Sequence, residues 1–316
     1  TALLNDGKAG SRATALQAAL EAEQFNVLAQ LTGTKVIHIA ERDTQITNKP
    51  KEVNEFCNTW SVEGFYEEGI APAELGWGTH EKWMPKNAHE HHDDGPRNQI
   101  CIAQPGMETW VRSWVPSGQN LGMVIRHGES YTMCKHLTVK NADGTDAYRP
   151  TVHYAYHPSD VAIDSVLELR MRNWKMQDRE RILNNEIISG RDELGVLLMG
   201  HDYKSWWTGS LLDIDQARSI LPGQSATTLQ VGGSVVAAVR WLLTYPTAGV
   251  CVPDDLPWRE LLEWTSPYIG QIHSAAADWT PLSERFDPFP GFGNDDSLLD
   301  HSDPWQFVNF LSPTPR

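Results

Sequence analysis

The sequence contains no closely spaced cysteines, although it has four of them in 316 residues. Cys57, Cys101, Cys134 and Cys251 stand far apart, with no CxxC pair among them. Structural zinc sites and disulfide frameworks normally show such pairs. The sequence therefore predicts neither, and free thiols favour the reducing environment of the cytoplasm.

Basic residues are also scarce. There are 26 lysines and arginines against 41 aspartates and glutamates, so the formal net charge is -15. Nucleic acids and anionic membrane surfaces are bound through clustered basic residues. The sequence shows no uninterrupted apolar run of about 20 residues and no basic-then-apolar leader. We therefore expect no nucleic acid or membrane partner, and the charge suits a small cationic ligand.

The third absence is the glycine-rich loop GxGxxG of dinucleotide-binding domains. The nearest approaches are Gly76-Trp77-Gly78 and the Gly-Phe-Gly of residues 291–293. Both lack the third glycine and a position between a strand and a helix. The residues alone therefore assign no cofactor contact.

Residues 54–81 combine aromatic and acidic side chains without one lysine or arginine. Indole faces attract ammonium groups, and carboxylates supply the compensating charge. The segment therefore predicts an amine site, although a buried aromatic anchor beside a solvated acidic helix face is the alternative. The candidate residues of this site are Trp60, Glu63, Glu67, Glu68, Trp77 and Glu81.

The local pattern around this segment predicts short regular elements. Residues 35–40 alternate as a strand and carry Glu41 to its carboxyl end. Ser61 can cap a short helix or turn, in which Trp60 and Glu68 lie at fourfold spacing. The two side chains could then flank one pocket, with Gly64 leaving room between them.

The rest of the chain predicts a mostly antiparallel sheet with flanking helices. Strands are predicted at residues 107–116, 122–127, 130–138, 151–156 and 195–199, and helices at 13–29, 160–170, 177–183 and 226–244. The last helix is predicted to be buried, with Gly232 and Gly233 allowing close packing against another helix or a cofactor. Residues 86–97 are rich in histidine but read as an exposed loop, so no metal site is predicted, and residues 283–297 read as a surface loop.

Several strings of this sequence resemble the bacterial homospermidine synthases, an NAD-dependent family of the saccharopine-dehydrogenase-like group. They cover the chain from residue 37 to near its end and are rich in rare residue types. The strings are IHIAERDTQ (37–45), NTWSVEGF (58–65), PAELGWGTHE (72–81), RSWVP (112–116), YRPTVHYAYHP (148–158), DELGVLLMGH (192–201), DWTPL (278–282) and DPWQF (303–307).

The resemblance implies an α+β fold that forms the C-terminal, substrate-binding portion of a two-domain Rossmann-type enzyme. We expect residues 1–34 to lead from an N-terminal Rossmann domain that this sequence lacks. Residues 35–205 are expected to bind the substrate, and residues 206–316 to return toward the cofactor domain with a long helix. The family further implies homodimers, and a chain that is inactive and binds NAD weakly without the N-terminal domain.

The family reaction joins two putrescines into homospermidine, with release of ammonia and with NAD holding a hydride between two steps. The resemblance implies that Glu41, Glu68 and Asp192 hold the diamine. Trp60 is expected to stabilise its cationic carbon or ammonium. His127 is expected to shuttle protons, because imidazole titrates near neutral pH.

Two other functions remain open from the sequence. One is a related dehydrogenase of the same group that forms imines from another amine, such as a carboxynorspermidine synthase. The other is a polyamine-binding module without catalysis. Carboxylate substrates need arginine or lysine clamps, which residues 54–81 do not offer. Tyr154, with the neighbouring His153 and His157, is assigned to the core or an interface rather than to catalysis.

Overall fold

The structure is a computed structural model that describes residues 1–90, 98–286 and 299–312. Short 3-10 turns lie at Gly10–Arg12, Gly106–Glu108 and Pro253–Asp255. The α-helices of the described residues are α1 (Ala2–Asn5), α2 (Ala13–Glu21), α3 (Phe25–Thr32), α4 (Val62–Ile70), α5 (Glu129–His136), α6 (Asp160–Met171), α7 (Ile214–Ile220), α8 (Ala226–Thr244), α9 (Trp258–Thr265) and α10 (Phe307–Phe310).

The strands range from two-residue pairs to the 11 residues of the longest. They are β1 (Val36–Asp43), β2 (Ile46–Thr47), β3 (Glu55–Asn58), β4 (Pro72–Gly76), β5 (Ala88–Glu90), β6 (Gln99–Pro105), β7 (Trp110–Val115), β8 (Gly118–Met123), β9 (Val139–Lys140), β10 (Asp146–Tyr148), β11 (Thr151–His157), β12 (Arg179–Ile182), β13 (Ile187–Ser189), β14 (Arg191–His201), β15 (Lys204–Asp213) and β16 (Gln271–Ala277).

One ten-stranded sheet organises the molecule. Its main path runs β16-β15-β14-β1-β11-β4-β6-β5, and β8 joins β11 and carries β7. β1 and β11 are parallel, whereas their other neighbours in this sheet pair antiparallel. The predicted mixed, mostly antiparallel sheet with flanking helices is confirmed. Strands from both sides of residue 205 belong to this one sheet. The expected division of the chain at residue 205 stays a prediction.

The two faces of the central strands are packed differently. On one face, Phe65 of α4 and Val166 of α6 cover Tyr154 and Tyr156 of β11. On the other face, the C-terminal Phe307 and Phe310 pack over alternate residues of β1, β11 and β14. Successive strand residues point to opposite faces, so this register decides which polar side chains meet.

The helix predicted after Ser61 is present as α4. The Ser61 hydroxyl accepts a hydrogen bond from the Gly64 amide, and this satisfies one of the free donors of the first turn. A Cβ on Gly64 would lie 3.2 Å from the Trp60 ring. The glycine thus lets the indole lie close to the helix.

Four predicted elements differ in the structure. Of the strand predicted at residues 122–127, only the first two residues are in β8, which ends at Met123. Residues 13–29 form two helices, because the chain turns at Glu23, whose φ is +52°. Residues 130–138 form α5 instead of a strand, since Ser130 and Cys134 recur at the helical interval and face the core. Residues 177–183 contain β12, where parallel pairing with β3 overrides the local helical pattern.

Helix α8 has the predicted bounds, but it is only partly buried. Gly233, Ala237 and Trp241 face the protein, whereas a second stripe is exposed. That stripe comprises Val231, Val235, Val236, Val239, Leu242 and Leu243. By length and composition alone α8 could cross a membrane, and 39% of its apolar window is buried within the protein.

The two adjacent glycines of α8 predict opposite mutational effects. Gly232→Ala should raise stability by about 0.5–1 kcal/mol, because no atom lies within 4 Å of the new Cβ and alanine restricts the unfolded chain. Gly233→Ala should lower it by about 1–3 kcal/mol, since its Cβ would lie 2.7 Å from the Tyr268 Cβ. Denaturant unfolding of both variants measures this difference, and equal effects would contradict the packing of α8 on Tyr268.

Candidate active site

Three carboxylates lie side by side on one face of the sheet, at the carboxyl end of β1. Glu41 and Asp43 are two residues apart on this strand and therefore share a face. Asp192 of β14 is directly opposite Asp43 in the antiparallel register. All three are buried. The local chain geometry thus concentrates negative charge where water has little access.

Burial dominates the electrostatics of these groups. It raises the pKa of Glu41 to about 7. The hydrogen bond from Tyr154 lowers this pKa, and the charge of Asp43 raises it. Burial, followed by the charges of Glu41 and Asp43, raises the pKa of Asp192 well above its ordinary value. Neither oxygen of Asp192 has a hydrogen bond of ordinary geometry within the described residues. The face is therefore short of positive charge and of hydrogen-bond donors.

A histidine lies next to this face between two further carboxylates. His127 Nε2 is 3.2 Å from Glu68 Oε2, and its Nδ1 is 3.1 Å from Glu129 Oε2. Its ring lies 4.3 Å from the ring of Tyr154, whose hydroxyl donates to Glu41. Tyr154 thereby connects the histidine to the buried carboxylates.

The surroundings of His127 change the expected protonation. Burial lowers its pKa, but the hydrogen bonds to Glu129 and Glu68 outweigh this effect and raise the pKa of His127 to about 10. The imidazole is therefore cationic at neutral pH, and the expectation that it titrates near neutrality is wrong for this state of the site. In this state it can donate a proton, and it can accept one only after it has lost its own.

Trp60 is oriented by a hydrogen bond. Its indole Nε1 donates to the Tyr156 hydroxyl over 2.9 Å, and its ring packs 5.8 Å from the ring of Phe65. Tyr156 in turn lies 6.3 Å from Tyr154, ring centre to ring centre. The aromatic side chains thus link the indole to Glu41 through packed contacts.

The structure brings together all five residues that the sequence nominated: Glu41, Trp60, Glu68, His127 and Asp192. Sequence reasoning missed the polar role of Tyr154 and the contribution of Asp43 and Glu129. Two sequence signals could have indicated Asp43 and Glu129. They are the alternation Glu-x-Asp at the end of β1 and the position of Glu129 two residues after His127.

The acidic, aromatic segment does not act as one unit. Glu63 and Glu67 are exposed on α4. Trp77 packs edge-on against Phe307 in a different core region. Glu81 is buried there and accepts hydrogen bonds from Thr151 and the Phe307 amide. Only the first part of the predicted amine segment therefore reaches the site.

The histidine-rich loop lies mainly outside the described residues, which stop at Glu90 and resume at Asn98. His89 and Glu90 belong to β5. No group of three or more His, Cys, Asp or Glu side chains suited to a metal occurs in the parts of the chain that the structure describes. All four cysteines are free.

Neighbouring basic side chains are directed to other partners. Arg42 is adjacent to Glu41 in sequence, yet it lies on the opposite face of β1 and donates to Ser117. Arg126 pairs with Glu74 at 3.1 Å. The carboxylate face therefore suits a ligand that brings its own positive charge.

The two glutamates around His127 give a direct prediction. Glu129→Gln should lower the pKa of His127, because the variant removes a negative charge and the hydrogen-bonding carboxylate at Nδ1. The imidazole resonances followed by NMR over a pH series report this value. Glu63→Gln, an exposed change on α4, is the control and should leave the titration unchanged. A His127 that titrates alike in both variants would exclude the proposed pairing.

Comparison with known proteins identifies a family model and several similar proteins. Residues 11–276 match the model of the saccharopine dehydrogenase C-terminal domain. Over 291 residues the chain is 47% identical to the homospermidine synthase of Mesorhizobium japonicum and 48% identical to that of Blastochloris viridis. These matches cover 92% of this chain and 59% of each relative.

A solved structure is similar as well. It is the homospermidine synthase of Legionella pneumophila in complex with NAD, with a TM-score of 0.86 and 42% identity. The match covers 92% of this chain and 62% of that chain, so the present chain spans about three fifths of the length of these relatives. The resemblance to homospermidine synthases noted in the sequence is confirmed, and the chain belongs to the saccharopine dehydrogenase C-terminal domain family.

Proposed function

We propose that this chain is the substrate-binding and catalytic portion of an NAD-dependent homospermidine synthase. The observation that carries the proposal is the face formed by Glu41, Asp43 and Asp192, which is acidic and buried. No lysine or arginine of the described residues forms an ion pair with these carboxyls, and the cationic His127 lies beyond Tyr154. A diamine supplies the missing charge, and Trp60 offers an aromatic face beside it. The similarity to three homospermidine synthases supports the same conclusion.

The reaction proposed is the joining of two putrescines with loss of one ammonia. NAD would supply the hydride acceptor and donor for this exchange, while the residues of this chain would bind the amines and move protons. The protein must hold two ammonium ends, move protons and tolerate a transient iminium charge. We assign these tasks to the residues of the carboxylate face and to their aromatic neighbours.

Glu41 is suited to proton transfer, because burial raises its pKa to about 7. At neutral pH it can take a proton from a bound ammonium and leave a neutral amine. The Tyr154 hydroxyl holds the carboxyl in place. His127, cationic between Glu68 and Glu129, is suited to protonate the departing ammonia.

Trp60 is suited to the cationic carbon. Its indole is fixed by the hydrogen bond to Tyr156, so its face does not have to be ordered when the substrate binds. A cation over an aromatic face is stabilised by ~0.5–2 kcal/mol, with the larger values in desolvated sites. Asp192 remains for a distal ammonium, since neither of its oxygens has a hydrogen bond of ordinary geometry within the described residues.

The helix start beside the carboxylates, within the described residues, does not fit the pyrophosphate of NAD. A phosphate site requires free amides at a helix N-terminus. At α8, the helix start beside the carboxylates, the Thr228 amide donates to Ser225 and the Ala226 amide donates to Gln45. We therefore place the pyrophosphate contacts outside the described residues and derive no step through them.

The assembly and location follow as further proposals. We propose a homodimer in the cytoplasm, with no nucleic acid or membrane partner. Free cysteines and the net charge of -15 support these proposals. The division into residues 1–34, 35–205 and 206–316 is retained as a proposal for how the chain is used.

The test is product formation by the full-length protein. Putrescine and NAD should yield homospermidine and ammonia without net formation of NADH, because the hydride is returned. Mass spectrometry of the polyamines and absorbance at the NADH band measure both. Steady accumulation of NADH without homospermidine would instead indicate a simple amine dehydrogenase, and binding without turnover would indicate a polyamine-binding module.

Substitution of Trp60 tests the role of its aromatic face. Trp60→Phe should keep part of kcat/KM for putrescine, and Trp60→Ala should lose most of it, because only phenylalanine presents a ring to the cation. Trp83→Phe is the matched control, because Trp83 is an exposed tryptophan to which the proposal assigns no role. This variant should retain full activity. Wild-type activity in Trp60→Ala would exclude stabilisation of the cation by Trp60.

A further inference from the structure

Asp43 contributes charge to the carboxylate face, yet the proposed reaction assigns it neither a direct contact with the diamine nor a proton transfer. It follows Glu41 by two residues on the same face of β1 and lies opposite Asp192 in the register. Only 2% of its surface is exposed. Its position therefore requires a separate explanation.

The hydrogen bonds of Asp43 differ from those of its two acidic neighbours. Its Oδ1 accepts from the Gln45 amide at 2.8 Å and from the Gln45 side chain at 3.0 Å. Its Oδ2 accepts from the Thr59 hydroxyl. Asp192 interacts with the Thr227 hydroxyl and with Glu41, but neither of its oxygens has a hydrogen bond of ordinary geometry within the described residues, and Glu41 receives the Tyr154 hydroxyl. Of the three carboxyls, Asp43 is thus the one best solvated as an anion by the protein.

Gln45 extends this arrangement to the first turn of α8. Its Nε2 donates to the Thr227 hydroxyl at 3.1 Å, and its Oε1 accepts from the Ala226 amide at 2.8 Å. The Ser225 hydroxyl donates to the Thr59 carbonyl at 2.6 Å. The start of α8 is therefore attached to the carboxylate face through the two partners of Asp43.

We propose that Asp43 is a positioning residue that fixes the first turn of α8 against the site and, through its hydrogen-bond donors, holds negative charge behind Glu41 and Asp192, so that these two carboxyls keep a proton or a bound cation at neutral pH. Burial raises the pKa of Asp43, and the hydrogen bonds from Thr59 and Gln45 oppose this effect. The inference rests on the proposed function, because it explains how the diamine site is tuned. Asp43 itself does not contact the substrate.

The charges that face Glu41 support this assignment. Asp43 raises the pKa of Glu41 by direct repulsion, and it raises that of Asp192 as well. The cation in the set is His127, which is held by its own two glutamates. The titratable groups of the packed elements are Asp43 on β1, Asp192 on β14, Tyr154 and Tyr156 on β11, Glu68 on α4, and His127 and Glu129 at the start of α5.

The test is Asp43→Asn in the full-length enzyme. Asparagine has the same shape, its carbonyl oxygen can still accept from Gln45, and its amide can donate to the Thr59 hydroxyl. Removing the charge should let Glu41 ionise more easily. The acidic limb of the kcat/KM profile should therefore move to lower pH, by roughly half a pH unit or more. A loss that is only structural would lower the rate without moving the limb.

Glu193→Gln is the matched control. Glu193 is fully buried and adjacent to Asp192, but it lies on the opposite face of β14 and pairs with Arg191 and Ser117. Like Asp43→Asn, this variant removes one carboxylate that is almost fully buried, but on the opposite face of the sheet. Its profile should keep the wild-type limb, and an equal shift in both variants would overturn the proposal.

Thermal unfolding gives a readout that does not depend on the reaction. A carboxyl whose pKa is raised in the folded state binds its proton more tightly there, so stability falls as pH rises through the window from 4.5 to about 7 for Glu41. Asp43→Asn should flatten this fall between pH 5 and pH 8, whereas Glu193→Gln should not. Parallel curves for wild type and Asp43→Asn would overturn the proposal, even if the protein makes no homospermidine.

A second variant covers the case in which Asp43→Asn does not fold. Thr59→Val keeps the shape of the side chain and removes the hydroxyl that stabilises the anionic form of Asp43. Asp43 then carries less charge, so the acidic limb should move in the same direction by a smaller amount. A limb that stays in place or moves to higher pH would contradict the role of Asp43.

Discussion

The burial of three neighbouring carboxyls on one sheet face is the constraint on which the rest of the site depends. Glu41, Asp43 and Asp192 cannot all be ionised in a dry environment without a compensating cation. The protein solvates one of them with donors from Gln45 and Thr59 and leaves the other two short of donors. This face is therefore suited to a ligand that carries positive charge.

The aromatic residues position the polar side chains around these carboxyls. Tyr154 touches both Glu41 and His127, and Tyr156 holds the indole of Trp60. Both tyrosines stand on β11, whose parallel pairing with β1 aligns them with Glu41. Trp60, Glu41 and His127 are thus held in place through one strand pair.

Helix α8 connects the site to the exterior of the chain. Its first turn is bonded to the partners of Asp43, while Gly233, Ala237 and Trp241 pack along the protein. Its opposite stripe is apolar and exposed. A displacement of this helix would therefore alter the surroundings of the carboxylates, since the same hydrogen bonds hold both.

The sequence determined the mixed sheet, the bounds of α8 and the five nominated side chains, because strand alternation, helical periodicity and family strings are local. Tertiary structure decided the rest. The strand pairing of β12 and the helix α5 follow from packing partners distant in sequence. Likewise the cationic state of His127 depends on Glu68, which lies 59 residues away. The pKa of a side chain depends on its burial and on its distances to other groups, and both are known only once the chain has folded.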